Sequence, residues 1–299
     1  MRTKCLTKIY NKVKVVNSAD IVIKRGGIYG LIGKNGAGKT TLIRMIAGLI
    51  PQSAGEIFLF ETSNIKTMSE YRKKMSFIVE TPYFQPNMTA FENLNLQRIQ
   101  KGISDKSCID FALKKVKLDG TGKKKARDFS LGMRQRLGLA ISVLSNPEFM
   151  VLDEPVNGLD PEGIVEMRKL LIELNRTYGI TILISSHLLS ELSLMVTDYI
   201  FIDEGCVKEQ ISNEDLNHKC AGYLYLELSD VEKAANLLHE KLKIQLFQVE
   251  GNSLMIHDTI SDVSSIVKIL VKADIMVYHV EQKKTNLEQY FLSNIGGKI

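Results

Sequence analysis

Short, almost wholly apolar runs punctuate the first two thirds of the chain, at residues 28–32, 75–79, 149–152 and 180–184. Nearly continuous apolar runs of this length suit strands buried on both faces, as in a parallel sheet. Helical periodicity separates them. Residues 41–47 follow the first run, and a helix predicted from Pro161 to about Tyr178 joins the last two, with its proline in the first turn. Strand–helix–strand alternation predicts a parallel sheet covered by helices. Near the start the pattern changes to apolar–polar alternation. Residues around 8–10, 20–23 and 55–60 read as antiparallel strands. From 86 to 146 strand signals fade and helical spacing dominates, which predicts a helical insertion.

A different order begins near residue 220. Residues 223–228 read as strand and 230–241 as helix. Residues 244–249 and 253–256 read as a hairpin about Gly251-Asn252. Residues 261–272 read as helix, 275–280 as strand and 287–293 as a closing helix. The order β-α-β-β-α-β is the ferredoxin-like arrangement. The expected fold is therefore an α/β core over 1–215, with an antiparallel β part and a helical insertion at about 86–146. A small α+β accessory domain over 216–299 follows it. No internal repeat stands out.

The chemistry of the core is written in Gly33-Lys34-Asn35-Gly36-Ala37-Gly38-Lys39-Thr40, which fits G-x-x-x-x-G-K-[ST], the phosphate-binding loop (P-loop) of nucleotide hydrolases, between a buried strand and a helix. A polyphosphate needs many donors in a small space. Glycines let backbone N–H groups curl around it, and the helix N-terminus faces the anion. Lys39 supplies a charge for the β- and γ-phosphates and Thr40 a hydroxyl for Mg²⁺. Gly33, Asn35, Gly36, Gly38, Lys39, Thr40 and Thr41 are the candidate nucleotide contacts. Further on, the apolar strand at 149–152 ends in Asp153-Glu154. Asp153 suits a Mg²⁺ ligand at a strand end, and Glu154 a base that orients water.

Composition narrows the setting without naming a partner. The chain has 299 residues and a net charge of +5, too mild to demand nucleic acid. Lys123-Lys124-Lys125 reads as a solvated face. Cys5, Cys108, Cys206 and Cys220 lack metal spacing and fit a reducing cytoplasm. No apolar run approaches the roughly 18 residues of a membrane span, and no apolar signal core follows the basic start.

Between the loop and the acids lies Phe129-Ser130-Leu131-Gly132-Met133-Arg134-Gln135-Arg136. By itself Ser130 reads as a helix N-cap. At this point the chain resembles the ATP-binding subunits of ATP-binding-cassette (ABC) transporters, whose signature is written LSGGQ. Ser130 and Gly132 match it; Phe129, Leu131 and Met133 depart, in a form similar to that of bacterial drug and antimicrobial-peptide exporters. The resemblance implies that Ser130 and Gly132 close over the ATP of a partner subunit. Asn157-Gly158-Leu159-Asp160-Pro161 resembles the family's D-loop, which implies Asp160 at the subunit contact. Ser185-Ser186-His187 resembles its switch segment, with His187 reaching the γ-phosphate. Tyr10 stands where the family stacks an aromatic ring on adenine; alone it suits packing equally well. One departure stands out. The family usually has glutamine after the strand at 76–79, where it contacts Mg²⁺ and the permease's coupling helix. Here Glu80 takes that place, as in lantibiotic-immunity and bacitracin-type exporters, and its carboxylate can still ligate metal. Gln85 lies too far past the strand for the role.

The resemblance implies an ATPase subunit of an exporter of antimicrobial peptides or drugs. It would act as a homo- or heterodimer of cassettes on the inner face of the cell membrane, beside separate transmembrane permease subunits. Glu154, His187 and Lys39 are the catalytic candidates, Thr40, Asp153 and Glu80 the metal candidates, and ATP and Mg²⁺ the cofactors. Two other readings are a soluble cassette ATPase acting on ribosomes or DNA and an importer ATPase. A single cassette without a long coiled coil disfavours the first. Glu80 and the C-terminal segment disfavour the second.

Overall fold

Every residue of the strands at 28–32, 149–153 and 181–186 is buried, as strands covered on both faces require. The structure is a computed structural model and describes residues 1–60, 62–220, 222–244, 247–257, 262–283, 287, 290 and 291. In chain order the elements begin with β1 (Arg2–Tyr10), β2 (Val13–Ala19), β3 (Ile28–Ile32), α1 (Lys39–Ala47), β4 (Ala54–Phe58), α2 (Ile65–Arg72) and β5 (Met75–Ile78). The helices α3 (Ala90–Gln100), α4 (Ser107–Lys115) and α5 (Leu131–Val143) follow. Then come β6 (Phe149–Asp153), α6 (Pro161–Tyr178), β7 (Thr181–Ser186), α7 (Leu189–Leu192), β8 (Asp198–Asp203), β9 (Cys206–Ser212) and α8 (Asn213–Cys220). The last are β10 (Tyr223–Leu228), α9 (Val231–Leu242), β11 (Phe247–Glu250), β12 (Ser253–Ile256), α10 (Val263–Lys272) and β13 (Val277–Lys283). The chain divides into two compact units, the second starting at Glu214.

In the first unit a six-stranded sheet runs β5-β6-β7-β3-β8-β9, parallel except for the edge strand β9, and a three-stranded antiparallel sheet runs β2-β1-β4. Leu42, Ile43, Met45 and Ile46 of α1 join the core at 1% exposure or less. Burying each such side chain contributes roughly 1.5–3 kcal/mol relative to leaving it in water. In α6 Asp160 caps the N-terminus, Pro161 occupies the first turn and Gly179 ends the helix. Its buried Met167, Leu170, Leu171 and Leu174 form one stripe at helical spacing. The insertion opens on a capping box, Thr89 with Glu92. The Thr89 N–H, then Lys125, holds the Glu92 carboxyl below its ordinary pKa.

One strand expectation needs correction. The second N-terminal strand is Val13–Ala19, and residues 20–23 lie outside any named strand. Ile21 and Ile23 are buried, but Val22 turns its N–H and carbonyl to the Gln210 side-chain amide, at 3.0 and 2.6 Å. Apolar alternation there reports burial, while a side chain replaces part of the ladder.

In the second unit the four strands run β11-β12-β10-β13, each antiparallel to its neighbour. That is the ferredoxin-like order. Leu224, Leu226 and Leu228 alternate inward and pack with Ala234 and Leu238 of α9 and Ile266 and Leu270 of α10. The hairpin turns at Gly251-Asn252, with its first strand starting at Phe247 and residues 245–246 outside the described residues. The expected closing helix at 287–293 falls mostly outside the described residues.

Candidate active site

Three neighbouring parallel strands end together. In the strand register Ile32 lies beside Ser186 and Asp153 beside Ser185. The loop after β3, the acids after β6 and the histidine after β7 therefore meet at the carboxyl edge of the sheet, where open α/β sheets bind ligands.

The loop is held from both sides. A Cβ on Gly33 would come within 2.3 Å of the Ile202 carbonyl oxygen. Gly38 has φ 101°, and a Cβ there would lie 2.7 Å from the Val15 carbonyl oxygen. Neither position accepts a side chain without moving backbone. Gly205 donates to the Ala37 carbonyl at 3.0 Å and Asn17 to the Gly205 carbonyl at 2.8 Å, so β2 and the β8–β9 turn fix the loop. Helix α1 begins with no side-chain cap and no acid in its first turn. Its first N–H groups and the positive end of its dipole suit an anion. Asn35 and Gly36 are exposed along the loop; Thr40 and Thr41 are half-buried on the first turn.

Lys39 is buried, and its Nζ donates to the Gly33 and Lys34 carbonyls at 2.7 and 3.3 Å. It lies 3.5 Å from Glu154 Oε1, while Glu154 Oε2 lies 2.8 Å from His187 Nδ1. Lys39, Glu154 and His187, far apart in sequence, thus form one chain of polar contacts. Asp153 is 2% exposed and its Oδ1 accepts from Ser185 Oγ at 2.6 Å.

Mg²⁺ takes hard oxygen ligands, few from protein and the rest from phosphates and water. The Asp153 carboxylate and the Thr40 hydroxyl, on a helix packed against β6, fit that donor set. Among the described residues no three His, Cys, Asp or Glu side chains converge as an all-protein metal cage.

Other candidates lie around this centre. Glu80 follows β5 at φ 64°, mostly exposed, and its carboxylate pairs with Arg44 on α1, one turn beyond Thr40. Tyr10 ends β1 with a half-exposed ring and the Lys8 ammonium 4.9 Å from its centre. Ser130 caps α5, accepting from the Met133 N–H at 3.3 Å, and Asp160 caps α6, accepting from Gly163 at 3.1 Å. Leu159 lies 3.8 Å from where a Cβ on Gly132 would stand, so the segments at Ser130–Gly132 and Gly158–Asp160 touch. Both capping bonds are local, and neither reaches Lys39, Glu154 or His187.

The motifs leave Arg44 and Ser185 without roles. Ser185 stands inside a recognised triplet, but which residue of β7 faces Asp153 follows from strand register. The sequence does not state that register.

A family model described as ABC transporter matches residues 16–157. The bacitracin transport ATP-binding protein BcrA of Bacillus licheniformis is 40% identical over 298 residues, 99% of this chain and 97% of its own. The lantibiotic transport ATP-binding protein SrtF of Streptococcus pyogenes is 38% identical over 219 residues, 72% of this chain and 93% of its own. Among solved structures, a dimeric ATP-binding cassette with ADP and Pi shares the fold. Its TM-score is 0.64 at 23% identity, over 71% of this chain and 98% of its own.

Proposed function

The chain belongs to the ATP-binding subunits of ABC transporters, which couple ATP hydrolysis to transport, and we propose that its cargo is an antimicrobial peptide of bacitracin or lantibiotic type. The near full-length similarity to BcrA supports that cargo, because it extends through the C-terminal unit. Among the described residues no helix is long and apolar enough to cross a membrane. Separate permease subunits would carry the cargo, as the transport relatives suggest, with this chain on the inner membrane face.

The observation that carries the chemical reading is the Glu154 carboxylate, held between Lys39 and His187. Lys39 and the loop amides bind the β- and γ-phosphates. Glu154 accepts a proton from the attacking water, and His187, hydrogen-bonded to it, holds it in line and reaches the γ-phosphate. Thr40 and Asp153 hold Mg²⁺, which when bound neutralises charge on the phosphates. Tyr10 stacks on adenine. Ser130 and Gly132 present a second helix N-terminus to the nucleotide of a partner cassette, and Asp160 lies at that contact.

Cells lacking this chain are expected to become sensitive to bacitracin, to a lantibiotic or to both, with tolerance restored by the wild-type gene. Unchanged tolerance to both classes, with ATPase activity intact, would remove the cargo reading.

Glu80 is proposed to stand between Mg²⁺ and the permease contact. Glu80→Gln keeps an acceptor for Arg44 and removes a full charge. The pair is exposed and contributes little to stability, about 0–1 kcal/mol. ATP hydrolysis by the purified subunit should fall less than twofold, while peptide tolerance falls clearly further. Equal tolerance for both proteins would leave Glu80 as a neutral replacement.

A further inference from the structure

The hydroxyl of Ser185 touches both acidic positions by different means. Ser185 is wholly buried on β7, beside Asp153 in the parallel register. Its Oγ donates to Asp153 Oδ1 at 2.6 Å and accepts the backbone N–H of Glu154 at 2.9 Å. A hydroxyl has one proton and two lone pairs, so its proton goes to the carboxylate and one lone pair to the amide. The Glu154 backbone needs such help. Its φ of 49° lies in the left-handed region, which is costly for a residue with a Cβ. An acceptor waiting on the neighbouring strand favours that turn, and the turn sends the side chain to Lys39 and His187.

We propose that Ser185 is a positioning residue for the hydrolysis. It occupies one oxygen of Asp153 and leaves the other for Mg²⁺, and it pins the backbone that aims Glu154. The inference rests on the metal role of Asp153 proposed above. Partners of metal ligands orient the ligand, and their loss typically lowers metal affinity or activity 10–100-fold. Ser186, the next residue, is the built-in comparison. It is equally buried, but its Oγ accepts from the Leu188 N–H at 3.0 Å.

The test is a Mg²⁺ titration of the full chain, read by the fluorescence of a bound ATP analogue, beside its hydrolysis rate. Ser185→Ala should raise the Mg²⁺ concentration for half-maximal effect about tenfold or more and lower the rate. Analogue binding in EDTA should stay within twofold of wild type. Ser185→Thr keeps the hydroxyl and should remain close to wild type in both readouts. Ser186→Ala should leave the Mg²⁺ midpoint in place. If Ser185→Ala does not fold, Ser185→Cys keeps the size and offers a weaker donor, and its midpoint should move in the same direction. An unmoved midpoint in the folded Ser185 variant, or equal shifts for Ser185→Ala and Ser186→Ala, would overturn the inference. Asp153→Asn in the same titration separates the two claims. If it moves the midpoint and Ser185→Ala does not, only the Ser185 role falls. If Asp153→Asn moves nothing, the metal assignment falls and this inference with it.

Discussion

Lys39→Ala is expected to cut ATP hydrolysis by about two to three orders of magnitude and to weaken nucleotide binding. The Nζ does two jobs that alanine cannot do. It donates to the Gly33 and Lys34 carbonyls, closing the loop on itself, and it is the buried cation opposite Glu154. Removing one fixed positive donor from developing charge costs roughly 2.7–4 kcal/mol of transition-state stabilisation, which corresponds to that loss in rate. Binding should suffer as well, because the phosphates are already charged in the ground state. Arginine is a poor replacement; its fork is larger and does not fit a donor held between two carbonyls. Steady-state hydrolysis and equilibrium ATP binding on the purified variant check this. Hydrolysis within threefold of wild type would remove Lys39, and with it the phosphate loop, from the reaction.

How far the site could be read from sequence depended on whether its signal was local. The loop at Gly33–Thr40 is local. Gly33 and Gly38 each answer a neighbour a few ångströms away, and the spacing carries that demand even though Val15 and Ile202, the neighbours themselves, come from other strands. The buried strands β3, β6 and β7 were equally plain, because burial on both faces keeps each run mostly apolar and leaves its polar residues near the strand ends. Register was hidden. Nothing in a sequence says that Asp153 lies opposite Ser185, so the serine that joins the two acids appears only when the strands are aligned. The segment at 20–23 misled for a related reason. Its apolar residues are buried as in a strand, yet Gln210, nearly two hundred residues away, takes the hydrogen bonds of Val22. For Ser130 and Asp160 geometry and motif overlap. Each is a good N-cap, and capping alone would select the same residue types.

Glu154→Gln should keep ATP binding and lower hydrolysis by about 10²–10⁴-fold, the range for loss of a positioned general base. The amide has almost the volume of the carboxylate, so the turn at φ 49° and its N–H bond to Ser185 should survive. Its chemistry does not. The carboxylate accepts from His187 with one oxygen and faces Lys39 with the other. Glutamine turns one of these acceptors into an NH₂ donor and cannot take a proton from water. Lys39, the loop amides and the first turn of α1 remain to hold the phosphates, and Asp153 remains for the metal. Bound ATP should therefore persist, and if two cassettes close over it, the dimer should persist with it. Gel filtration with ATP and Mg²⁺ is expected to show the variant as a dimer under conditions where wild type elutes mainly as monomer. A hydrolysis rate close to wild type would take the base role from Glu154. A variant that stops hydrolysis yet gains no dimer would keep Glu154 as the base and remove the closed pair of cassettes as the state in which it acts.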